Sequence, residues 1–363
     1  MKRATVILVL ISVALCLCLI SCLTVIPVAY RLATWPGPAL ETPEPTPTFP
    51  PTIEITPIPQ VGVETWELLE RTEVPARDLI ALTKRLKHVE EPIPEVVRES
   101  PPDYEIGDEE VFWVSNVDTD ENFQITAVLL YATPHLYMWV EKGVDVDLDR
   151  LKEAADIFEE KTYPTDREFF GSEWTPGVDS DPHLNILHAR GLGDSVAGYY
   201  SSADEYPRIV HEFSNEKEMF YINADNVTIG SDFYNSVLAH EFQHMIHWYN
   251  DQNEDTWLNE GFSELAAYLN GYEIGGVETA FAMRPDTQLN SWPDETSEAG
   301  PNYGAAYLFT LYFLERFGEE ATRALVAHPA NGIASVDAVL LELGYSFDEL
   351  FADWVVANYL DDP

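Results

Sequence analysis

The sequence predicts an α+β protein of two lobes: a β-rich N-terminal lobe, one central helix, and a helical C-terminal lobe. Three observations predict it. Short runs rich in Val, Ile, Phe, Tyr and Trp recur from residue 109 to about 222, the composition of strands. A strongly helical segment follows at 231–249. Helical patterning then dominates from about 272 to the end, and no internal repeat interrupts the order.

At the start, Lys2 and Arg3 precede an almost unbroken apolar run from residue 4 to about 30, long enough to cross a bilayer. Residues 1–33 are therefore expected to be a signal anchor or a lipoprotein signal. Leu19-Ile20-Ser21-Cys22 fits a bacterial lipoprotein cleavage box with Cys22 lipidated, whereas the apolar continuation at 23–29 fits an uncleaved anchor. Either element ties the chain to a membrane with its globular part outside the cytoplasm, because the positive residues stand before the span. Residues 34–60 carry nine prolines with interspersed Thr and read as an extended linker that buries no core.

Residues 61–103 read as a helical pro-segment or packing arm, with apolar positions such as Trp66, Leu69, Leu79 and Leu86 and an interruption near Pro75. Residues 104–363 form the main domain, β-rich to about 230 and helical from about 231. Its expected strands lie at 111–114, 123–130, 135–140, 184–187, 196–200 and 219–222, with one helix at 148–158 between them. Later helices are expected at 303–317 and 347–359.

Composition narrows the function classes. With 46% hydrophobic and 12% aromatic residues, the chain has a packed core. A formal charge of −43 argues against nucleic acid as a partner, since that footprint is basic. The acidic excess leaves room for structural calcium, for which Asp179-Ser180-Asp181 is a candidate donor pair, although such a cluster reads first as a turn before Pro182. All three cysteines, Cys16, Cys18 and Cys22, lie near the N-terminus, so any metal in the globular part is held by nitrogen and oxygen. Asn226-Val227-Thr228 fits a glycosylation sequon. Nothing in the sequence sets an oligomeric state.

His240-Glu241-Phe242-Gln243-His244 carries the chemistry. On a helix, residues four apart lie roughly 6 Å apart along the axis and on one face, so two imidazoles can share a zinc ion. Glu241 then stands beside the metal, placed to take a proton from a water held there. Ser231-Asp232 offers the N-cap and Phe233, Val237, Leu238, Phe242, Met245 and Ile246 the apolar positions. Zinc needs a third protein ligand with a fourth position left for water. Glu260 and Glu264, four apart on the next helix, supply it: Glu260 on the metal, Glu264 behind it on a ligating imidazole.

The strings HEFQHMIHW and WLNEGFSE resemble the gluzincins, zinc metallopeptidases whose third ligand is Glu, and among them the hyicolysin-like family. Thermolysin-like and aminopeptidase N-like enzymes are more distant likenesses. The resemblance covers about residues 185–320 and implies a two-lobe zincin-like fold. It also implies His240, His244 and Glu260 as zinc ligands, Glu241 as general base and Glu264 as their support. The loop from His244 to Glu260 is shorter than in the two distant groups, so Glu254 and Asp255 stay open as alternative third ligands. No GxMEN exopeptidase signature precedes the zinc helix, which disfavours an aminopeptidase. His247, without the following Gly that lets a metzincin chain bend back, reads as a packed or hydrogen-bonded helix residue.

Aminopeptidase N-like enzymes take a transition-state donor from a Tyr shortly before a Gly-Ala that opens a later helix. Here Tyr303-Gly304-Ala305 opens such a helix, which nominates Tyr303; Tyr307 is the other candidate, and Tyr199 and Tyr200 read as core or wall. The expected function is a zinc-dependent endopeptidase acting on extracytoplasmic proteins or peptides. The competing reading is a catalytically inactive, zinc-stabilised adhesion module tethered to the membrane.

Overall fold

The computed structural model describes residues 61–72, 77–293 and 296–360; the expected anchor and linker lie outside them. Among the described residues no helix is long and apolar enough to cross a membrane. The chain divides into two compact units, Met1–Val74 and Pro75–Pro363. In the first, the described residues form α1 (Val61–Arg71), where Arg71 Nε donates to the Glu67 carbonyl at 2.9 Å. All further elements belong to the second unit.

That unit begins with α2 (Leu79–Leu86), capped by Asp78, whose carboxylate accepts from Ala81 N at 2.8 Å. Lys87 Nζ on the Ile209 carbonyl (2.9 Å) and Val97 N on the Val178 carbonyl (2.7 Å) tie this stretch to the lobe that follows.

A six-stranded mixed sheet forms the first lobe, from β1 (Glu109–Asn116), β2 (Glu121–Ala132), β3 (Leu136–Glu141), β4 (Leu184–Ala189), β5 (Gly198–Tyr200) and β6 (Met219–Asn223). The order is β1-β2-β3-β4-β6-β5, with β3, β4 and β6 parallel and the outer strands antiparallel. Alternation of side chains divides the core in two. Leu136, Met138 and Val140 of β3, with Leu184, Ile186, Phe220 and Ile222, face the helices; Tyr137, Trp139, Leu187, Met219 and Tyr221 pack on the opposite face. Because both faces are covered, the central strands are buried at almost every residue.

The parallel β3–β4 pair needs a crossover, supplied by α3 (Leu148–Ile157), a π-helical turn (Phe158–Thr162) and α4 (Tyr163–Phe170). The sequence reading ends its helix at 158. The structure continues it, because Pro164 falls in the first turn of α4, where a missing N–H costs nothing.

The second lobe is helical: α5 (Asp232–Asn250), α6 (Thr256–Leu269), α7 (Val277–Met283), α8 (Gly300–Val326), α9 (Gly332–Leu343) and α10 (Phe347–Leu360). Helix α5 lies between the lobes and is buried on nearly every side, with Phe242, Met245 and Ile246 fully so. Ser231 Oγ caps it by accepting from Tyr234 N at 3.1 Å, as its sequence position predicts. Helix α6 crosses α8 at Gly261. A Cβ there would stand 2.8 Å from the Ala306 carbonyl oxygen and Thr310 Cγ2, and Thr310 Oγ1 donates to the Gly261 carbonyl at 2.9 Å.

Candidate active site

Helix α5 presents His240 and His244 on one face, and the first turns of α6 bring Glu260 against them. The two Nε2 atoms are 3.1 Å apart, and Glu260 Oε2 lies 3.3 Å from His240 Nε2 and 3.4 Å from His244 Nε2. A tetrahedral zinc with bonds of ~2.0–2.2 Å requires ligand separations of roughly 3.3–3.6 Å, so this nitrogen-nitrogen-oxygen triangle fits one such ion. Glu260 Oε2 is buried without a hydrogen bond in the protein, as an atom meant for a cation is. Among the described residues the three form one of two groups able to hold a metal. Glu254 belongs to the other group, and Asp255 occupies the N-cap position of α6.

Opposed charges set the electrostatics. Burial pulls the His240 imidazole down, but the facing Glu260 and the charges of Glu264 and Glu241 outweigh it and raise it to about 9. Burial likewise pushes Glu260 up, and His244 and His240 overcome it, holding the carboxyl well below its ordinary range.

Each ligand is steered from behind. His244 Nδ1 donates to Asn259 Oδ1, which leaves its Nε2 lone pair toward Glu260. Ser263 Oγ sits 2.9 Å from the same Nδ1 while donating to Gln243 Oε1 at 2.6 Å. His240 Nδ1 faces Glu264 Oε1 at 3.6 Å, an ion-pair distance beyond a hydrogen bond. Burial raises Glu264 to about 7. Sequence reasoning missed Asn259, Ser263 and Gln243. Their signal was available: each stands one residue from a motif position, and Ser263 follows Asn259 by one helical turn.

Glu241 is 6% exposed and lines a cleft of about 390 Å³ together with His240, Glu264, Tyr303 and the segment 195–198. Burial raises its carboxyl; His240 and His244 oppose the rise, as does the backbone amide of Tyr200. The neighbouring strand β5 is a sheet edge, and Gly198 brings it close. A Cβ at Gly198 would meet the Tyr221 carbonyl at 2.5 Å and Val237 Cγ1 of α5 at 3.1 Å. Asn223 and Asn226 fix the loop before β5: both side-chain amides donate to the carbonyls of Gly193 and Val196. The sequon asparagine is thus committed to the cleft wall.

Tyr303, in the first turn of α8, stands across the cleft. Its ring centroid is 6.3 Å from that of His240 and 4.9 Å from that of Trp292, which packs edge-on. Burial, then the charges of Glu260, Glu241 and Glu264, push its phenol well above the ordinary value, so it stays protonated as a donor. Tyr307 lies one turn further on, 4% exposed and against Tyr268 at 6.1 Å. Tyr199 stacks on Tyr221 and accepts from Ser115 N at 2.9 Å, and Tyr200 donates to Glu205 Oε1 at 3.2 Å.

Two further expectations meet the structure here. Asp179 and Asp181 face the protein: Asp179 Oδ1 accepts from Asp181 N at 3.0 Å, and Asp181 Oδ1 contacts His183 Nδ1 at 2.5 Å. Neither belongs to a metal-binding group among the described residues, so the calcium expectation finds no support and the turn reading describes the segment. His247 is packed, 5.7 Å from the Phe262 centroid, yet neither ring nitrogen has a hydrogen-bond partner.

No protein-family model matches the chain, and no curated protein matches its sequence. Solved structures do resemble it. An M1 zinc metallopeptidase from Deinococcus radiodurans is 13% identical with a TM-score of 0.35, over 68% of this chain and 52% of that one. Native yeast LTA4 hydrolase is 14% identical with a TM-score of 0.36, over 65% and 42%. The chain spans about half the length of these structures. Such likenesses are distant, and the chemistry of the site follows from this chain's own side chains.

Proposed function

We propose that this chain is a zinc-dependent endopeptidase of the hyicolysin-like gluzincin type, acting on proteins or peptides outside the cytoplasm. The observation that carries it is the triangle of His240 Nε2, His244 Nε2 and Glu260 Oε2, with sides of 3.1–3.4 Å, beside a Glu241 that opens on a cleft. When bound there, zinc polarises the scissile carbonyl and acidifies the attacking water. Glu241 takes the proton from that water and passes it to the leaving amine nitrogen as the C–N bond breaks. Tyr303 donates its phenolic proton in a hydrogen bond to the carbonyl oxygen as negative charge develops on it. A peptide adding as a further strand along the edge of β5 would lay its carbonyl in this position.

The lack of an unengaged carboxylate on the cleft wall at 195–198 favours an endopeptidase. Glu241 and Glu264 both face the metal-ligating imidazoles, and the wall at 195–198 offers no acidic side chain to hold a substrate α-ammonium. An anchor or lipid at residues 1–33, followed by the proline-rich linker, would hold this activity at the outer face of a membrane. The test is casein cleavage by the full chain loaded with zinc, with and without a chelator. Chelator-sensitive internal cleavage is expected. A folded, zinc-loaded chain with no cleavage would leave the inactive adhesion module as the function.

A further inference from the structure

We infer that the chain holds a second divalent metal ion, of the zinc or manganese class, between His247, Asp251 and Glu254. One ligand atom from each of these residues lies within 4.8 Å of the others. His247 is fully buried, and both its ring nitrogens lack a hydrogen-bond partner. Leaving such polar atoms bare in a protein interior is unfavourable, and an ion would take up one of the two nitrogens.

The two carboxylates are built in the same way. Asp251 offers Oδ1 to Asn253 N, and its Oδ2 is buried with no partner. Glu254 Oε1 accepts from Gly332 N at 2.7 Å and from Asp255 N at 2.5 Å, while Oε2 is buried with no partner. Backbone amides thus anchor one oxygen of each and leave the other free. No Lys or Arg is among the main charges acting on either group.

Burial acts on all three groups, and a bound cation would oppose it at each carboxylate. Burial, with His244 adding to it, lowers His247 to about 3, so its imidazole is neutral and keeps a lone pair for ligation. Burial also raises Asp251, and it raises Glu254 to about 7. An imidazole with two carboxylates suits zinc or manganese better than calcium, which takes oxygen alone.

The ion would join three elements. His247 sits in the last turn of α5, Asp251 and Glu254 in the loop to α6, and Glu254 is also held by the first amide of α9. That loop delivers Glu260 to the first site, so the second ion braces the third ligand of the first.

Metal content of the full chain decides it. The protein is stripped with a chelator, re-equilibrated with buffered zinc and assayed by elemental analysis. Two ions per chain are expected in the wild type, and one in Asp251→Asn and in Glu254→Gln, whose isosteric side chains keep their backbone contacts. His240→Ala should also bind one ion, retained at the second site, which separates this inference from the peptidase reading. One ion in the wild type, or two in either isosteric variant, overturns it. Anomalous scattering from wild-type crystals grown with zinc needs no variant: a peak between His247, Asp251 and Glu254 is expected, and its absence overturns the site.

Discussion

His244 Nδ1 donates to Oδ1 of Asn259, the residue immediately before Glu260, so one member of the His240, His244 and Glu260 triangle is oriented by the chain neighbour of another. Rotation of the imidazole and placement of the carboxylate are therefore a single event. Asn259→Ala should lower zinc affinity by ~10–100-fold, the usual effect of losing such a support. Zinc titration against a competing chelator measures it. Glu264→Ala, which acts on His240 from 3.6 Å, should give a loss within the same range.

Ligand and base separate cleanly by mutation. Glu260→Ala should lose zinc, because two imidazoles alone leave the ion short of a protein ligand. Glu241→Gln should keep zinc and lose turnover, since an amide takes up no proton. Stoichiometric zinc in Glu260→Ala would move the third ligand elsewhere.

Tyr303→Phe should lower the turnover rate by roughly 10²–10³ with zinc content unchanged, the cost of one oxyanion donor. Tyr307→Phe serves as the comparison, because Tyr307 packs against Tyr268. The opposite ranking of the two variants would reassign the donor.

Stability should fall as pH rises toward 8. Burial raises Glu218 to about 8 and Asp204 to about 7, and Glu218 hydrogen-bonds the buried Glu205. An unfolded carboxyl titrates near ~4. Between those values the folded chain holds protons that the unfolded chain releases, so unfolding becomes easier as pH increases. The thermal midpoint should drop from pH 5 to pH 8, and Glu218→Gln should flatten part of that slope. An unchanged slope in the variant would show that Glu218 ionises freely when folded.

The sequence placed the strands at 184–187 and 219–222 because both sheet faces are covered there and the runs are apolar throughout. It placed α5 because Ser231 and the apolar periodicity mark its start and face. It ended the crossover helix at 158; the structure carries the helix through a π turn into α4, whose first turn accommodates Pro164. The shared direction of His240 and His244 was legible because four-residue spacing converts directly into one helix face. Asn259 and the His247 group were not, since both depend on how closely two helices and a loop converge. Only packing sets that distance.

Gly261 follows Glu260 directly, and its missing side chain is what lets α6 settle onto α8, the helix that also carries Tyr303. Glu260 and Tyr303 are consequently mounted on two helices whose approach at residue 261 leaves no room for a side chain. Any larger residue at 261 should spread the two helices and carry Tyr303 away from Glu260. A position that bears no side chain thus gauges the spacing between Glu260 and Tyr303.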